Sequence, residues 1–163
     1  MKTLTEGNKL ITEHTFSVSQ ERLFQAYTNS EELEAWWGPE GWQTENKRFE
    51  FKPGGYWHYC MKCEDKSQGD FYGMESWGLG KFKEIHAPEK FLYLDTFSDQ
   101  EGNVNPEMPE MEIEVSFIPA EGATNVVTIT TFDSAETLEK MSEMGMIEGY
   151  NSQMKRLETY LNQ

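Results

Sequence analysis

Apolar and polar positions alternate over residues 10–18, with Leu10, Thr12, His14, Phe16 and Val18 against Ile11, Glu13, Thr15 and Ser17. A period of two predicts a strand. The spacing then changes. Ser19 stands as an N-cap with Val18 and Leu23 placed for a hydrophobic staple, which predicts a short helix to about Thr28. Asn29, followed three residues on by Glu32, repeats the signal. The second helix carries Leu33, Trp36 and Trp37 and must stop at Gly38-Pro39.

After Trp42 the period of two returns, over residues 43–51 and 56–63, with a Lys52-Pro53-Gly54-Gly55 turn between them. There Pro presets φ at the first central position and Gly supplies positive φ at the second. Phe49 and Phe51 share one face of the first strand. Trp57, Tyr59 and Met61 share a face of its partner, opposite Tyr56, His58 and Cys60. Further strands are predicted at 76–85, 90–97, 111–117 and 124–132, with polar loops at 64–74 and 98–109. In the strand at 111–117, Met111, Ile113, Val115 and Phe117 alternate with Glu112, Glu114 and Ser116, as in a sheet wet on one side.

The chain closes on a helical period. Leu138, Met141, Met144, Ile147, Tyr150, Met154, Leu157 and Leu161 form one apolar stripe along a helix of about seven turns, residues 134–161. Ser134 is its N-cap, and Gly145 and Gly149 interrupt it at about 1 kcal/mol each. The order β-α-α-β6-α, with short turns between strands, predicts an α+β fold in one domain, residues 1–163. Its curved antiparallel sheet of about seven strands grips the C-terminal helix.

Charge narrows the partners. Asp and Glu number 29 against 14 Lys and Arg, a net charge of −15. Neither a nucleic acid nor an anionic membrane is held without a basic patch, so both are excluded as partners. The first eleven residues are polar and lack an apolar signal segment, so a cytoplasmic protein with reduced cysteines is expected. Aromatic residues make up 13% of the chain, including five Trp, more than a core of this size needs.

The Trp36-Trp37-Gly38-Pro39 stretch, the turn from Phe51 to Trp57, residues 97–103, and Gly149-Tyr150 followed by Met154 and Leu157 resemble one group in order. It comprises homologues of the C-terminal domain of the heat-shock-protein-90 ATPase activator, within the START-like superfamily that includes birch-pollen allergens and polyketide cyclases. The resemblance implies a helix-grip fold with a cavity between sheet and C-terminal helix. Members of the superfamily bind lipids, hormones or polyketides there, or cyclise them. It also implies a chaperone as a possible partner, although full-length activators carry an N-terminal domain that these 163 residues do not contain. Where the group has Gly-Trp on the last helix, this chain has Gly149-Tyr150, which keeps an aromatic ring and adds a hydroxyl.

The candidate site is therefore an apolar pocket for a small hydrophobic molecule, neutral and aromatic, lipid-like or polyketide-like. It is formed by Phe49, Phe51, Trp57, Tyr59, Trp77, Tyr93, Phe97, Met144, Ile147 and Tyr150. Aromatic rings and flexible methionines either fill such an interior or line an adaptable pocket. Asp95 interrupts the aromatic strand. Facing the cavity it orients a ligand hydroxyl or acts as a general base, and facing away it pairs with a neighbouring strand or water. An enzyme of cyclase or dehydratase type would need such a group, Asp95 or His14. No cofactor or metal is expected: Cys60 and Cys63 have the spacing of a metal or redox pair, but in a strand they point to opposite faces.

Overall fold

The structure, a computed structural model, describes residues 2–163; Met1, the first residue of the segment read as lacking a signal, lies outside them. Two strands open the chain, β1 (Lys2–Glu6) and β2 (Lys9–Phe16), followed by helices α1 (Gln20–Thr28) and α2 (Ser30–Trp36). Strands β3 (Trp42–Phe49), β4 (Tyr56–Cys63), β5 (Glu75–His86), β6 (Lys90–Phe97), β7 (Met111–Ala120) and β8 (Ala123–Thr131) come next. Helices α3 (Ala135–Glu143) and α4 (Met146–Leu161) end it.

All eight strands form one curved antiparallel sheet in the order β1-β2-β8-β7-β6-β5-β4-β3. From β3 to β8 each strand pairs with the next by a local hairpin or loop, so the meander expected from the turns is present. β2 pairs instead with β8, placing β2 and β3 towards opposite ends of the sheet. Helices α1 and α2 make that crossing. Their caps are those the pattern predicts: Ser19 Oγ accepts from the Arg22 N–H at 3.2 Å, and Asn29 Oδ1 from the Glu32 N–H at 3.0 Å. Trp36, fully buried at the end of α2, donates its indole N–H to the Ala26 carbonyl at 3.0 Å and so ties α2 back onto α1.

Two differences from the sequence reading have simple causes. β1 was not expected, because Lys-Thr-Leu-Thr-Glu is exposed throughout and has no apolar face to announce it. It is held by backbone pairing to β2 across a turn in which Gly7 has positive φ. The single terminal helix is two helices. Ser134 caps the first as expected, through the Thr137 N–H at 3.1 Å, but the helix ends at Glu143. Gly145, at φ +93°, then turns the chain into α4. The backbone there adopts a conformation that only glycine enters without strain. Leu138 of α3 packs with Leu10 and Phe132 in a small cluster of its own, while Met154 and Leu157 of α4 join the main core.

Polar contacts fix α4 against the α2–β3 connection. The Gly38 N–H donates to Gln153 Oε1 at 2.9 Å and the Glu40 N–H to Ser152 Oγ at 2.9 Å. Arg156 reaches further: its Nη1 lies 2.9–3.3 Å from the carbonyls of Trp37, Gly38, Pro39 and Trp42, and its Nη2 3.3 Å from that of Ala35. These include carbonyls that α2 leaves unpaired at its C-terminus.

The two helical glycines should respond oppositely to alanine. Gly145→Ala is expected to destabilise by about 1–2 kcal/mol, because a Cβ there is strained whatever the space around it. At Gly149 a Cβ would meet nothing within 4 Å, so Gly149→Ala should stabilise by up to about 1 kcal/mol. Urea unfolding of both variants checks this; a stabilised Gly145→Ala protein would mean that α3 and α4 are not separated as described.

Candidate functional site

Side chains on the inner face of the sheet follow from strand parity and register. Trp57 and Tyr59 of β4 stand opposite Gly80 and Gly78 of β5, which in turn stand opposite Asp95 and Phe97 of β6. Two glycines on the inner face of β5 therefore separate two aromatic strands. A Cβ at Gly78 would collide with the phenol ring of Tyr59, so glycine is what allows that ring to lie across β5. The ring delivers its hydroxyl to Asp95, donating to the two carboxylate oxygens at 3.1 and 3.0 Å.

Between this face and helices α1, α2 and α4 lies a cavity of about 250 Å³. That exceeds the roughly 150 Å³ of an apolar protein cavity that accepts benzene and falls just short of the roughly 300–1,000 Å³ of drug-sized pockets. Of the ten residues expected to line it, Phe49, Trp57, Tyr59, Tyr93, Phe97 and Tyr150 do so. Trp77 borders it along β5, but pairing with Cys60 puts its side chain on the other face of the sheet. Its indole lies there beside His58, ring centroids 5.3 Å apart, with Lys47 Nζ 5.9 Å from its centre.

The other three lie elsewhere. Phe51 packs edge-on against Phe24, Phe82 and Phe91 in the aromatic core rather than on the cavity wall. Ile147 leans on the cluster of Leu10, Phe132 and Leu138. Met144, the C-cap of α3, is 74% exposed, because the break at Gly145 rotates the stripe away from the sheet.

Several lining residues were not anticipated. Trp37, whose ring meets Trp57 at 4.8 Å between centroids, closes the α2 side. On the helical side the wall is Met141 of α3 with Met146, Gly149, Tyr150 and Gln153 of α4. Once α4 starts at Met146, a spacing of three or four residues selects this set, so a helix begun in the right place would have found it. Tyr150 donates its extra hydroxyl to Thr128 Oγ1 at 2.9 Å, which satisfies the group added by Tyr at this position.

Asp95 is the one charged residue on the cavity wall, and no Lys, Arg or His lines the cavity among the described residues. Burial pushes its carboxyl up to about 7, against the opposing pull of hydrogen bonds from Tyr59 and the Thr96 N–H. The phenols of Tyr27, Tyr59, Tyr93 and Tyr150 are likewise raised by burial and remain protonated. His14, the other acid–base candidate, is not on the wall; its Nε2 lies 3.3 Å from Glu158 Oε2. Cys60 and Cys63 are free thiols on opposite faces of β4, beside Trp77 and Trp42 respectively.

A curved antiparallel sheet gripping C-terminal helices around an apolar cavity defines a helix-grip, START-like fold. The chain belongs to the Activator of Hsp90 ATPase homolog 1-like family, whose model matches residues 17–162. It is similar to a solved protein from Mycobacterium smegmatis, at 26% identity and TM-score 0.87, over 99% of this chain and 96% of that one. Proteins from Arthrobacter aurescens (28%, TM-score 0.88, 99% and 91% covered) and Staphylococcus epidermidis (29%, 0.84, 99% and 94%) are equally alike in fold. No curated protein matches the chain significantly.

Asp95 should leave a signature in stability. Its proton is held to about pH 7 in the folded chain, whereas an unperturbed Asp loses it near 3.9. The stability this proton confers is complete below about pH 4 and lost as pH rises through about 7, on the order of 4 kcal/mol in all. Asp95→Asn lacks the titration. Its stability relative to the native chain should rise between those limits and level off above them. A difference independent of pH would place the carboxylate in water.

Proposed function

We propose that the chain binds a small apolar molecule in the cavity between its sheet and helix α4. The observation that carries this reading is the cavity itself: about 250 Å³ that the chain's own side chains leave unfilled, under walls built mainly from aromatic rings and methionines. The driving force is burial, about 25 cal/mol per Å² of apolar ligand surface before the entropic costs of association. Rigid aromatic walls lose little entropy on binding and offer flat contact to a planar or ring-containing guest.

The polar groups on the wall rank the ligands. A fatty-acid carboxylate entering the cavity would find Asp95 and no cation, and burying an unpaired anion costs several kcal/mol. Neutral guests avoid that cost. Long-range repulsion from the net charge of −15 is the smaller effect, because it is screened beyond about 8 Å at physiological salt.

A second reading, a cyclase- or dehydratase-type enzyme, draws on one observation: Asp95 is a buried acid, held near neutrality, on the cavity wall. A general acid–base operates best with its titration near the working pH. Conversion of a bound polyketide-like ligand, lost in Asp95→Asn, would separate the enzyme from a carrier.

Trp37 and Trp57 on the wall provide a fluorescence readout. Titration with phenylbutanol and phenylbutanoate should quench emission, with the alcohol binding at least about tenfold more tightly and added salt barely narrowing the gap. Gly149→Leu, which grows a side chain from the cavity wall into open space, should keep the fold and weaken binding of the alcohol by a similar factor. Tighter binding of the anion, or binding indifferent to Gly149→Leu, would move the ligand out of this cavity.

A further inference from the structure

We propose that the preferred guest is an apolar amine, its ammonium group paired with the Asp95 carboxylate and its apolar body lying against Trp57 and helix α4. This rests on the reading of the cavity as a ligand site and specifies the ligand's chemical class.

Three observations converge on it. First, Asp95 is a charged group without a countercharge: its hydrogen bonds come from the Tyr59 hydroxyl and the Thr96 N–H, both neutral donors. A carboxylate has about four acceptor sites, so capacity remains for a donor brought by the guest. Second, the surroundings suit a cation. Trp57 lies 4.5 Å from Tyr59 and 5.8 Å from Tyr93, centroid to centroid, and Tyr59 in turn holds the carboxylate, so the wall beside Asp95 is built of π-systems whose faces carry partial negative charge. Third, the Tyr93 ring is on the same wall, two residues from Asp95 on the same face of β6, and its neutral hydroxyl is not among the donors to that carboxylate. It can accept from the same ammonium group.

Ion pairs formed in apolar interiors often gain little, because both charges must be stripped of water. Here one half of that cost is already met by the fold. The Asp95 carboxylate is dehydrated before any guest arrives, and Tyr59, held across Gly78, fixes its orientation. Only the amine has to be desolvated, and the aromatic faces offset part of that. The net charge of −15 further concentrates cations around the molecule and speeds their encounter with it.

The titratable groups facing Asp95 leave its charge as the only one that changes near neutral pH. Tyr59 approaches from β4 and Tyr93 stands two residues away on its own strand, while Tyr150 of α4 and Tyr27 of α1 line the same cavity, and all four phenols are raised by burial. Its register partners on the adjoining strands, Gly80 and Met111, do not titrate. An amine that stays protonated to about pH 10 should therefore bind better as pH rises past neutrality, whereas a neutral isostere should not.

The test compares phenylbutylamine with phenylbutanol by tryptophan quenching, on the native chain and on Asp95→Asn, at about pH 8.5 and about pH 5.5. At the higher pH the amine is expected to bind the native chain about 10- to 100-fold more tightly than the alcohol. That preference should shrink towards unity at the lower pH. In Asp95→Asn the ratio of amine to alcohol affinity should fall to about one at both. The pH comparison on the native chain stands even if the variant folds poorly. Equal affinity of amine and alcohol at the higher pH, or an amine preference that survives Asp95→Asn, overturns the amine assignment and leaves apolar binding intact. If neither probe binds, the cavity is not a ligand site for guests of this size and both readings fall.

Discussion

The cavity depends on Arg156. A helix lying over a sheet ordinarily presses its apolar stripe onto the strands until no space is left. Here α4 is tied on one flank to backbone, with the Arg156 guanidinium among five carbonyls of residues 35–42 and Gln153 and Ser152 receiving two N–H groups from the same stretch. Directional polar contacts set the height of the helix independently of what lies beneath it. The same cation neutralises the partial negative charge at the end of α2 and so anchors Trp37, one of the cavity's walls. Support of the fold and shaping of the interior therefore meet in one residue, less than one helical turn beyond Gln153 of the cavity wall.

The inner face divides its labour between size and charge. Glycines on β5 make room, and large rings on β4 and β6 use that room by leaning across it. Only because Gly78 lacks a side chain can Tyr59 reach Asp95, so a position with no chemistry of its own decides where the one buried charge is held. Asp95 is otherwise surrounded by groups that cannot ionise near neutral pH.

Much of this arrangement was legible in the sequence, and the parts that were not share a cause. Strand faces, helix caps, the Pro53-Gly54 turn and the order β-α-α-β6-α follow from local chemistry: the periodicity of two, Ser and Asn before an apolar run, Pro and Gly in a turn. β1 escaped because backbone pairing alone defines it, and an edge strand wet on every side carries no periodicity. Gly145 was noticed as an interruption, yet a helix containing Gly and a helix ended by Gly at positive φ look the same until the backbone is known. That one ambiguity displaced Met144 and Ile147 and hid Met146 and Gln153. Trp77 illustrates a different gap. Alternation tells which residues of one strand share a face, but the face shared with the next strand is set by register across the loop at 64–74, which carries no pattern. Asp95 had two faces open to it, and pairing of Gly80 with it settled the choice.

The lining of the cavity is of two stiffnesses. Aromatic rings, each with two torsions, stand on the sheet and, as Tyr27, Trp37 and Tyr150, on the helical side; Met61 and Met111 on the sheet and Met141 and Met146 on either side of the Gly145 break add unbranched, polarisable chains. The rings behave as plates and the methionines between them as cushions. On the proposed reading, a guest would have to match the plates in flatness, while its contour at the cushions would be free to vary, since a methionine changes rotamer where a tryptophan cannot. A chamber so built would tell guests apart by thickness and by charge, and would tolerate variation wherever a methionine meets them.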